Sequence, residues 1–220
     1  MVFRDRAHAG QLLAEALKTT YANQSELLVL ALPRGGVPVA FEVAVALHVP
    51  LDVFVVRKLG VPGHAEYAMG ALASGGIRVL NEDVVRQLRI PHAAVEEVVR
   101  AAQQVLDRRE PPYPTAWPAV EVRGRPVIVV DAGLATGSTM LAAVKALRGR
   151  QAGHIVVAVP VAAPETCEAM RAEADRVVCA TTPEPFRAVG QWYRNFEQTT
   201  DDEVQRCLAQ ARAPGRGHAG

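Results

Sequence analysis

The alternation of short apolar runs with helical segments is the feature of this sequence that most constrains its fold. Five runs are rich in β-branched residues and nearly continuous in apolar character: residues 27–32, 51–59, 126–131, 154–161 and 175–180. Continuous apolar strands are typical of parallel sheets covered on both faces, because an exposed face would place polar residues at alternate positions. The sequence therefore predicts an α/β fold: a doubly wound, mainly parallel sheet with helices on both faces.

Helical patterns occupy most of the segments between these runs. Asn81 is a favourable N-cap, because its side chain can accept a hydrogen bond from a first-turn N–H group. A hairpin is predicted at about 70–80, turning at Gly75-Gly76. The predicted helices span residues 5–22, 37–48, 81–88, 137–148 and 163–174, with a longer one after Pro91 and a final polar one from Asp201.

The length of 220 residues suits one large α/β domain or two small ones. A proline-rich connection at 111–118 separates the two halves of the chain without requiring a domain boundary there. Neither an internal repeat nor a low-complexity segment is found, apart from a polar C-terminal tail. We therefore predict a single domain over 1–220.

Charge and cysteine content restrict the class of protein. The formal net charge is +1, with 24 basic and 23 acidic residues and no block of like charge, so no nucleic-acid partner is expected. Cys167, Cys179 and Cys207 lack metal-ligand spacing and are interpreted as reduced thiols. No apolar run reaches membrane-spanning length and no secretory h-region is present. These features predict a cytoplasmic protein without a membrane partner.

The stretch VIVVDAGLATGSTM, residues 127–140, predicts a ligand site. Asp131 ends an apolar strand, and a turn with two glycines and three hydroxyl groups leads directly into a helix. Ligands bind beyond the carboxyl ends of strands in such sheets. Backbone N–H groups and hydroxyls at the positive end of a helix suit a phosphate group, whereas Asp131 suits sugar hydroxyls or a divalent cation. Walker A, dinucleotide, serine-hydrolase and zinc-protease motifs are absent.

This stretch resembles the phosphoribosyl-pyrophosphate (PRPP) loop of the type I phosphoribosyltransferases. The resemblance implies that the acidic position holds the ribose hydroxyls and that the Thr-Gly turn holds the 5′-phosphate. One position departs from the family pattern, since an alanine stands where a second acidic residue is usual. Ala135 matches the adenine type. The implied ribose and phosphate residues are Asp131, Ala132, Gly133, Leu134, Ala135, Thr136, Gly137, Ser138 and Thr139.

The resemblance extends to two further segments. Arg34, Gly35 and Gly36 follow the first strand and are implied to bind pyrophosphate, with Lys58 as the favoured second cation at another strand end. Strand alternation places Arg57 on the opposite face from Lys58. Residues 60–70 correspond to the family's mobile lid loop, whose role is to exclude water. Within it, Glu66 is the candidate catalytic acid or base; the alternative is a solvated loop charge.

The C-terminal segment, about 183–220, is implied to form a small hood and tail. Trp192 and Tyr193 are the candidates for stacking on a base, with core packing as the commoner alternative for such rings. The core is then about 25–182, with a helical insertion at about 81–110. The cysteines are expected to be buried structural thiols.

The implied activity is transfer of 5-phosphoribose from PRPP to a nitrogen acceptor, expected to be a nucleobase, with release of pyrophosphate. Mg²⁺ is the implied cofactor, carried with PRPP and contacted indirectly by Asp131. The alternative is a regulatory protein of the same fold that binds PRPP or a nucleotide without catalysis, which the alanine at position 132 favours. The oligomeric state is not readable from the sequence; homodimers are common in the family, so the resemblance implies a homodimer as one candidate assembly.

Overall fold

The computed structural model describes residues 2–73, 77–109 and 121–212, without the side chains at 65, 66, 77, 107–109 and 212. The helices are α1 (Arg6–Tyr21), α2 (Gly36–Leu47), α3 (Glu82–Gln87), α4 (His92–Arg109), α5 (Ser138–Gly149), α6 (Pro164–Met170) and α7 (Asp201–Arg212). The strands are β1 (Leu28–Ala31), β2 (Leu51–Val53), β3 (Val56–Val61), β4 (His64–Ala73), β5 (Ile77–Leu80), β6 (Pro126–Val130), β7 (His154–Val161) and β8 (Arg176–Thr181).

The central sheet has five strands in the order β2-β1-β6-β7-β8, and every neighbouring pair is parallel. Its first crossover connects β1 to β2 through α2, and its later crossovers place α5 and α6 between β6, β7 and β8. The predicted parallel α/β architecture is confirmed. The order reverses beside β1 and β6, and connections leaving neighbouring strands in opposite directions open a crevice at their carboxyl ends.

Alternate residues of the central strands enter two different cores. Val29 of β1 and Ile128 of β6 pack with α1, α2 and α7, whereas Leu30 and Val129 pack with α5 and α6. All four side chains are almost fully buried. Because successive side chains of a strand point to opposite faces, this pattern requires helices on both sides of the sheet. Helices lie on both faces, as the sequence predicted.

A second sheet has three antiparallel strands in the order β3-β4-β5. Its core joins Leu59, Met69 and Leu72 to α3 and α4. The predicted N-cap is confirmed, because the Asn81 side chain accepts a hydrogen bond from the backbone N–H of Val84 at 3.2 Å. The predicted turn at residues 75–76 and the proline-rich connection at 111–118 lie outside the described residues.

Two expectations for this region were wrong. The single strand expected at 51–59 is divided between the two sheets, with Phe54 buried at the crossing and its N–H bonded to the carbonyl of Ala31 at 2.9 Å. The mobile loop expected at 60–70 is instead largely the β3–β4 hairpin, which turns at Gly63 with φ of 79°. The glycines obscured an apolar set that includes Val61, which packs against the second sheet's core.

The chain after β8 has two parts. Residues 183–200 include a short 3₁₀ turn (Val189–Trp192) and cross the carboxyl edge of the central sheet, where Tyr193 forms an isolated bridge with Phe3. Helix α7 then packs into the core beside α2 through Val204 and Leu208, which are 0% and 1% exposed. Only the first part therefore lies where a hood was expected. In the described part of the chain, no helix is both long and apolar enough to cross a membrane.

Candidate functional site

Two loops meet at the carboxyl edge of the neighbouring strands β1 and β6. We call residues 32–35 the β1–α2 loop and residues 131–137 the β6–α5 loop. A Cβ atom added to Gly36, the first residue of α2, would lie 2.8 Å from the Val130 carbonyl oxygen and 3.2 Å from Asp131 Oδ1. Only a residue without a side chain fits this approach. The structure thus brings together residues expected to bind pyrophosphate and ribose.

Asp131 lies at this junction. Its Oδ1 accepts a hydrogen bond from the backbone N–H of Ala132 at 2.7 Å. Burial raises the pKa of the Asp131 carboxyl to about 7, while the Ala132 N–H and the positive charge of Arg6 act in the opposite direction. A carboxyl group with its pKa in this range exists in both protonation states near neutral pH. It can therefore accept hydrogen bonds from hydroxyl groups when ionised and donate one when protonated.

The backbone of Ala132 is anchored from the C-terminal segment. Its side chain is 5% exposed, and its carbonyl oxygen accepts a hydrogen bond from the Tyr193 hydroxyl at 2.6 Å. The next residue, Gly133, has no room for a side chain, because an added Cβ would lie 2.7 Å from Cγ1 of Val189. These contacts hold the start of the β6–α5 loop against residues 183–200.

The rest of the β6–α5 loop forms an exposed turn at the N-terminus of α5. Leu134 is buried; its N–H donates to the carbonyl of Val161 at the end of β7, and its carbonyl accepts from the N–H of Ala163, the residue before α6. Gly137 has φ of 70° and stands at the N-cap position without a side-chain hydrogen bond to the helix. The hydroxyls of Thr136 and Ser138 lie 3.2 Å apart. An N-terminus without a side-chain cap has N–H groups that can bind an anion.

Thr166 of α6 is a site residue that the sequence analysis missed. Its hydroxyl donates a hydrogen bond to the carbonyl of Ala135 at 2.6 Å, and its methyl group occupies the space that a Cβ on Gly137 would need. It fixes the exposed turn from outside the motif. No sequence signal distinguishes it from an ordinary threonine in a first helical turn.

Arg34 lies in the β1–α2 loop, as expected, after a cis peptide bond from Pro33. Its guanidinium is 3.7 Å from the carboxylate of Asp201 at the start of α7. The pair borders a cleft of about 320 Å³, which is also lined by residues 198–200 and 202. Lys58 does not end a strand: it lies within β3, opposite Ala71 of β4, because the chain has already left the central sheet.

The other expected residues are distributed as follows. Glu66 has its backbone in β4, but its side chain is outside the described set. Tyr193 is 6% exposed, with ring centroids of Phe3 and Phe196 at 5.2 and 4.8 Å. Trp192 is partly buried, and its ring stacks on the ring of Phe186 with the two centroids 6.5 Å apart. The described geometry gives Tyr193 an anchoring contact. Stacking of Trp192 and Tyr193 on a base remains a prediction.

Arg6, at the start of α1, is the second residue that the sequence analysis missed. Its Nη1 donates to the carbonyl of Glu197 at 2.7 Å, and its Cζ lies 4.1 Å from the ring centroid of Phe196. Its Nε is buried and has no hydrogen-bond partner among the described residues. Burial lowers the pKa of Arg6, whereas the negative charges of nearby acidic groups, Asp131 among them, raise it. One arginine after an N-cap gives no periodic signal in a sequence.

The described residues contain no cluster of three or more histidine, cysteine or acidic side chains that could hold a metal ion. The site nevertheless offers one carboxylate, Asp131, in the same loop as the uncapped N-terminus of α5. One or two carboxylates together with substrate phosphates are the usual ligands of Mg²⁺ in kinase, ATPase and polymerase sites. The residues present therefore fit a magnesium ion that arrives with a phosphorylated substrate.

Comparison with known proteins agrees with this geometry. Residues 5–194 match the family described as "Phosphoribosyl transferase domain". Two curated proteins from different strains of Mycobacterium tuberculosis, each named "Putative phosphoribosyl transferase", are 46% identical over 210 residues that cover 96% of this chain. The chain spans about half the length of these relatives, 47%.

The crystal structure of the protein TT1426 from Thermus thermophilus superposes with a TM-score of 0.88 at 42% identity, covering 96% of this chain and 99% of that one. The superposition thus extends over nearly the whole of both chains. Together with the family match and the curated relatives, it places the fold and the motif in one family. The chain belongs to the type I phosphoribosyltransferase family.

Proposed function

We propose that this protein transfers 5-phosphoribose from PRPP to a nitrogen acceptor of the nucleobase class and releases pyrophosphate. The single observation that carries the proposal is the contact of Gly36 with Asp131, beside an α5 N-terminus that has no side-chain cap. This contact brings the β1–α2 loop, the Asp131 carboxylate and the uncapped start of α5 to one edge of the sheet. PRPP carries a pyrophosphate, two ribose hydroxyls and a 5′-phosphate in the corresponding order.

In this proposal the turn at 135–139 binds the 5′-phosphate through backbone N–H groups and the hydroxyls of Thr136 and Ser138. Ionised Asp131 accepts hydrogen bonds from the ribose hydroxyls. Arg34 and the backbone at residues 35–36 bind the pyrophosphate, with Lys58 as a second cation. Positive charge there stabilises the leaving group as the C1′–oxygen bond breaks and its electron pair moves to pyrophosphate.

The new bond joins the acceptor nitrogen to C1′ with inversion, and the acceptor loses a proton if its nitrogen carries one. Glu66 is the proposed group for that proton, because it stands on the β3–β4 hairpin that corresponds to the family's lid. Trp192 is the better candidate of the two aromatic residues for contact with a base, since the Tyr193 hydroxyl is bonded to Ala132. Mg²⁺ would neutralise pyrophosphate charge, held by the substrate and indirectly by Asp131.

Ala132 is the reason to test a second function, binding without catalysis. Ala132 occupies the position of the family's second carboxylate, and it is buried. A hydrogen bond to a charged group contributes about 1.5–3 kcal/mol, so its loss weakens the hold on ribose. A protein that binds PRPP or a nucleotide as a regulator needs affinity but no precise orientation of C1′. The alternative is therefore a non-catalytic sensor of the same fold.

The experiment that separates the two functions is a pyrophosphate-release assay with Mg²⁺, PRPP and a panel of purine and pyrimidine bases. Base-dependent release by the wild-type protein, abolished in Asp131→Asn, supports transfer. PRPP binding without base-dependent release supports the sensor. Absence of both binding and release in folded protein contradicts the proposed function. Thr19→Val is a suitable control, because Thr19 is exposed and lies thirteen residues beyond Arg6 on α1, roughly 20 Å away along the helix.

A further inference from the structure

Arg6 contacts the segment that crosses the carboxyl edge of the central sheet. Its guanidinium stacks on the ring of Phe196 at 4.1 Å and donates a hydrogen bond to the carbonyl of Glu197 at 2.7 Å. A planar guanidinium can make both contacts at once, by its face and by its edge. Helix α1 is capped by Asp5, whose side chain accepts from the N–H of His8 at 2.8 Å. Arg6 therefore projects from a fixed helix start.

The same guanidinium borders the two ligand loops. A Cβ atom on Gly35 would lie 3.5 Å from Nε of Arg6, 3.7 Å from its Nη2 and 3.8 Å from Cβ of Ala132. Gly35 of the β1–α2 loop thus lies close both to Arg6 and to Ala132, the second residue of the β6–α5 loop. Three segments that are far apart in sequence meet at this one side chain.

Packing alone does not explain an arginine at position 6. The acidic groups nearest the guanidinium are the carboxyls of Asp131 and Glu203 and the phenol of Tyr193, which burial keeps protonated and neutral. The Nε donor of Arg6 is buried without an acceptor among the described residues, which is unfavourable for folding. An apolar side chain would fill the space without that penalty, so the arginine has a role that shape alone does not explain.

We propose that Arg6 is a positioning residue for PRPP, which holds Gly35 and Ala132 in fixed relation to each other and to residues 194–200. It acts through the backbone of the two loops and does not contact the substrate. The inference rests on the proposed function, since the loops it positions are those assigned to pyrophosphate and ribose. The turn at 135–139 is held separately, by the hydrogen bond from the Thr166 hydroxyl to the carbonyl of Ala135.

Hydrogen–deuterium exchange of the ligand-free protein tests this role independently of activity. In Arg6→Met, the peptides covering 33–37, 131–134 and 194–200 should exchange at least about threefold faster, while 135–141 and strand β7 keep their wild-type rates. Arg4→Met is the matched control, because Arg4 is exposed and its loss changes the net charge equally. Uniformly faster exchange, or no change in the three segments, would overturn the proposal.

Arg6→Lys covers the case in which Arg6→Met does not fold. Lysine keeps the charge, but its ammonium group has no planar face that could stack on Phe196 while it donates to the carbonyl of Glu197. We expect the same three segments to be affected to a smaller extent, and wild-type exchange in all three would overturn the proposal.

A binding measurement then connects the positions of the loops to the ligand. Arg6→Met should weaken PRPP binding about fivefold to tenfold and ribose 5-phosphate binding by only about twofold to threefold, because both ligands use the ribose carboxylate but only PRPP also uses the β1–α2 loop. Arg6→Lys should recover part of the loss. Equal weakening of both ligands contradicts a role at the β1–α2 loop. If wild-type protein binds neither ligand, the proposed function fails, while the exchange pattern still decides whether Arg6 holds the loops.

Discussion

The hydroxyl of Tyr193 donates a hydrogen bond to the carbonyl of Ala132 at 2.6 Å, across 61 positions of sequence. This contact attaches the segment before α7 to the loop that follows β6. Its two groups are buried, and burial and the nearby Asp131 raise the pKa of Tyr193, so the phenol remains a proton donor throughout the physiological range. The contact is made by the residue that follows Asp131, whose carboxylate is proposed to bind ribose.

Tyr193→Phe tests the contribution of this bond. Removing the hydroxyl leaves a buried carbonyl without its partner, and we expect the free energy of unfolding to fall by about 1–3 kcal/mol. Urea denaturation monitored by circular dichroism measures it. Tyr67→Phe is the control, because Tyr67 is 55% exposed and should change stability little. A Tyr193→Phe variant as stable as wild type would mean that the bond contributes nothing net.

Gly36→Ala tests the close approach of the two loops. The new methyl group would meet backbone atoms, Val130 O at 2.8 Å and Asp131 Cα at 2.9 Å, and backbone cannot move aside as a flexible side chain can. We expect loss of about 1–3 kcal/mol of stability and at least about tenfold weaker PRPP binding. Gly149→Ala is the control, since its added Cβ would meet only Val79 Cγ2, at 3.4 Å. Wild-type PRPP affinity in Gly36→Ala would show that the two loops need not be in contact for binding.

Thr166 offers a test outside the motif. Thr166→Val removes the hydroxyl that donates to Ala135 and keeps the shape of the side chain, whereas Thr166→Ser keeps the hydroxyl. We expect Thr166→Val to weaken ribose 5-phosphate binding by about threefold to tenfold, corresponding to about 0.7–1.4 kcal/mol, and Thr166→Ser to stay near wild type. Isothermal titration calorimetry gives both affinities. If the serine variant is as weak as the valine variant, the hydroxyl is not what holds the turn.

Asp131 makes stability depend on pH. Folding raises the pKa of its carboxyl from 3.8 to about 7, so the folded state binds this proton more tightly than the unfolded state does. The stability that this proton provides is fully present below about pH 4 and is lost as pH rises to about 7. Asp131→Asn should therefore be more stable than wild type at pH 8, by roughly 1–3 kcal/mol, and about equal to it at pH 4. Urea denaturation at the two pH values checks this, and a difference independent of pH would contradict it.

The same substitution has the opposite effect on the ligand. Asp131→Asn removes the negative charge that accepts hydrogen bonds from ribose, so PRPP should bind at least about tenfold more weakly at pH 8. A gain in stability with a loss of binding distinguishes a ligand group from a structural one. Unchanged affinity would remove Asp131 from the ribose site.

The β6–α5 loop could be predicted because its residues are contiguous. The carboxylate that suits sugar hydroxyls comes first, and the turn that suits a phosphate follows it. The meeting of this loop with Gly36 could also be anticipated, since the strands of a parallel sheet end at one edge. Arg6 and Thr166 could not, because each acts on the backbone of a distant segment. Neither has a pattern in its own neighbourhood that records this contact.

The β3–β4 hairpin was misread for a related reason. Residues 60–70 were expected to form a mobile loop, but Leu59 and Met69 are buried against α3 and α4, which come later in the chain. A strand whose partners lie in another layer shows only part of its apolar pattern. Lys58 was misplaced for the same reason. The strand expected at 51–59 was predicted to stay in the central sheet to its end, but its second part is β3 of the second sheet.

Calorimetric titration of PRPP with Mg²⁺ tests the central claim most directly, on wild type, Thr136→Val and the control Thr19→Val. Thr136 is exposed, and its hydroxyl lies 3.2 Å from that of Ser138 at the start of α5. The account predicts micromolar binding by wild type and Thr19→Val, about −8 kcal/mol, and at least about tenfold weaker binding by Thr136→Val. Absence of PRPP binding by folded wild-type protein, or equal affinity in Thr136→Val, would contradict it.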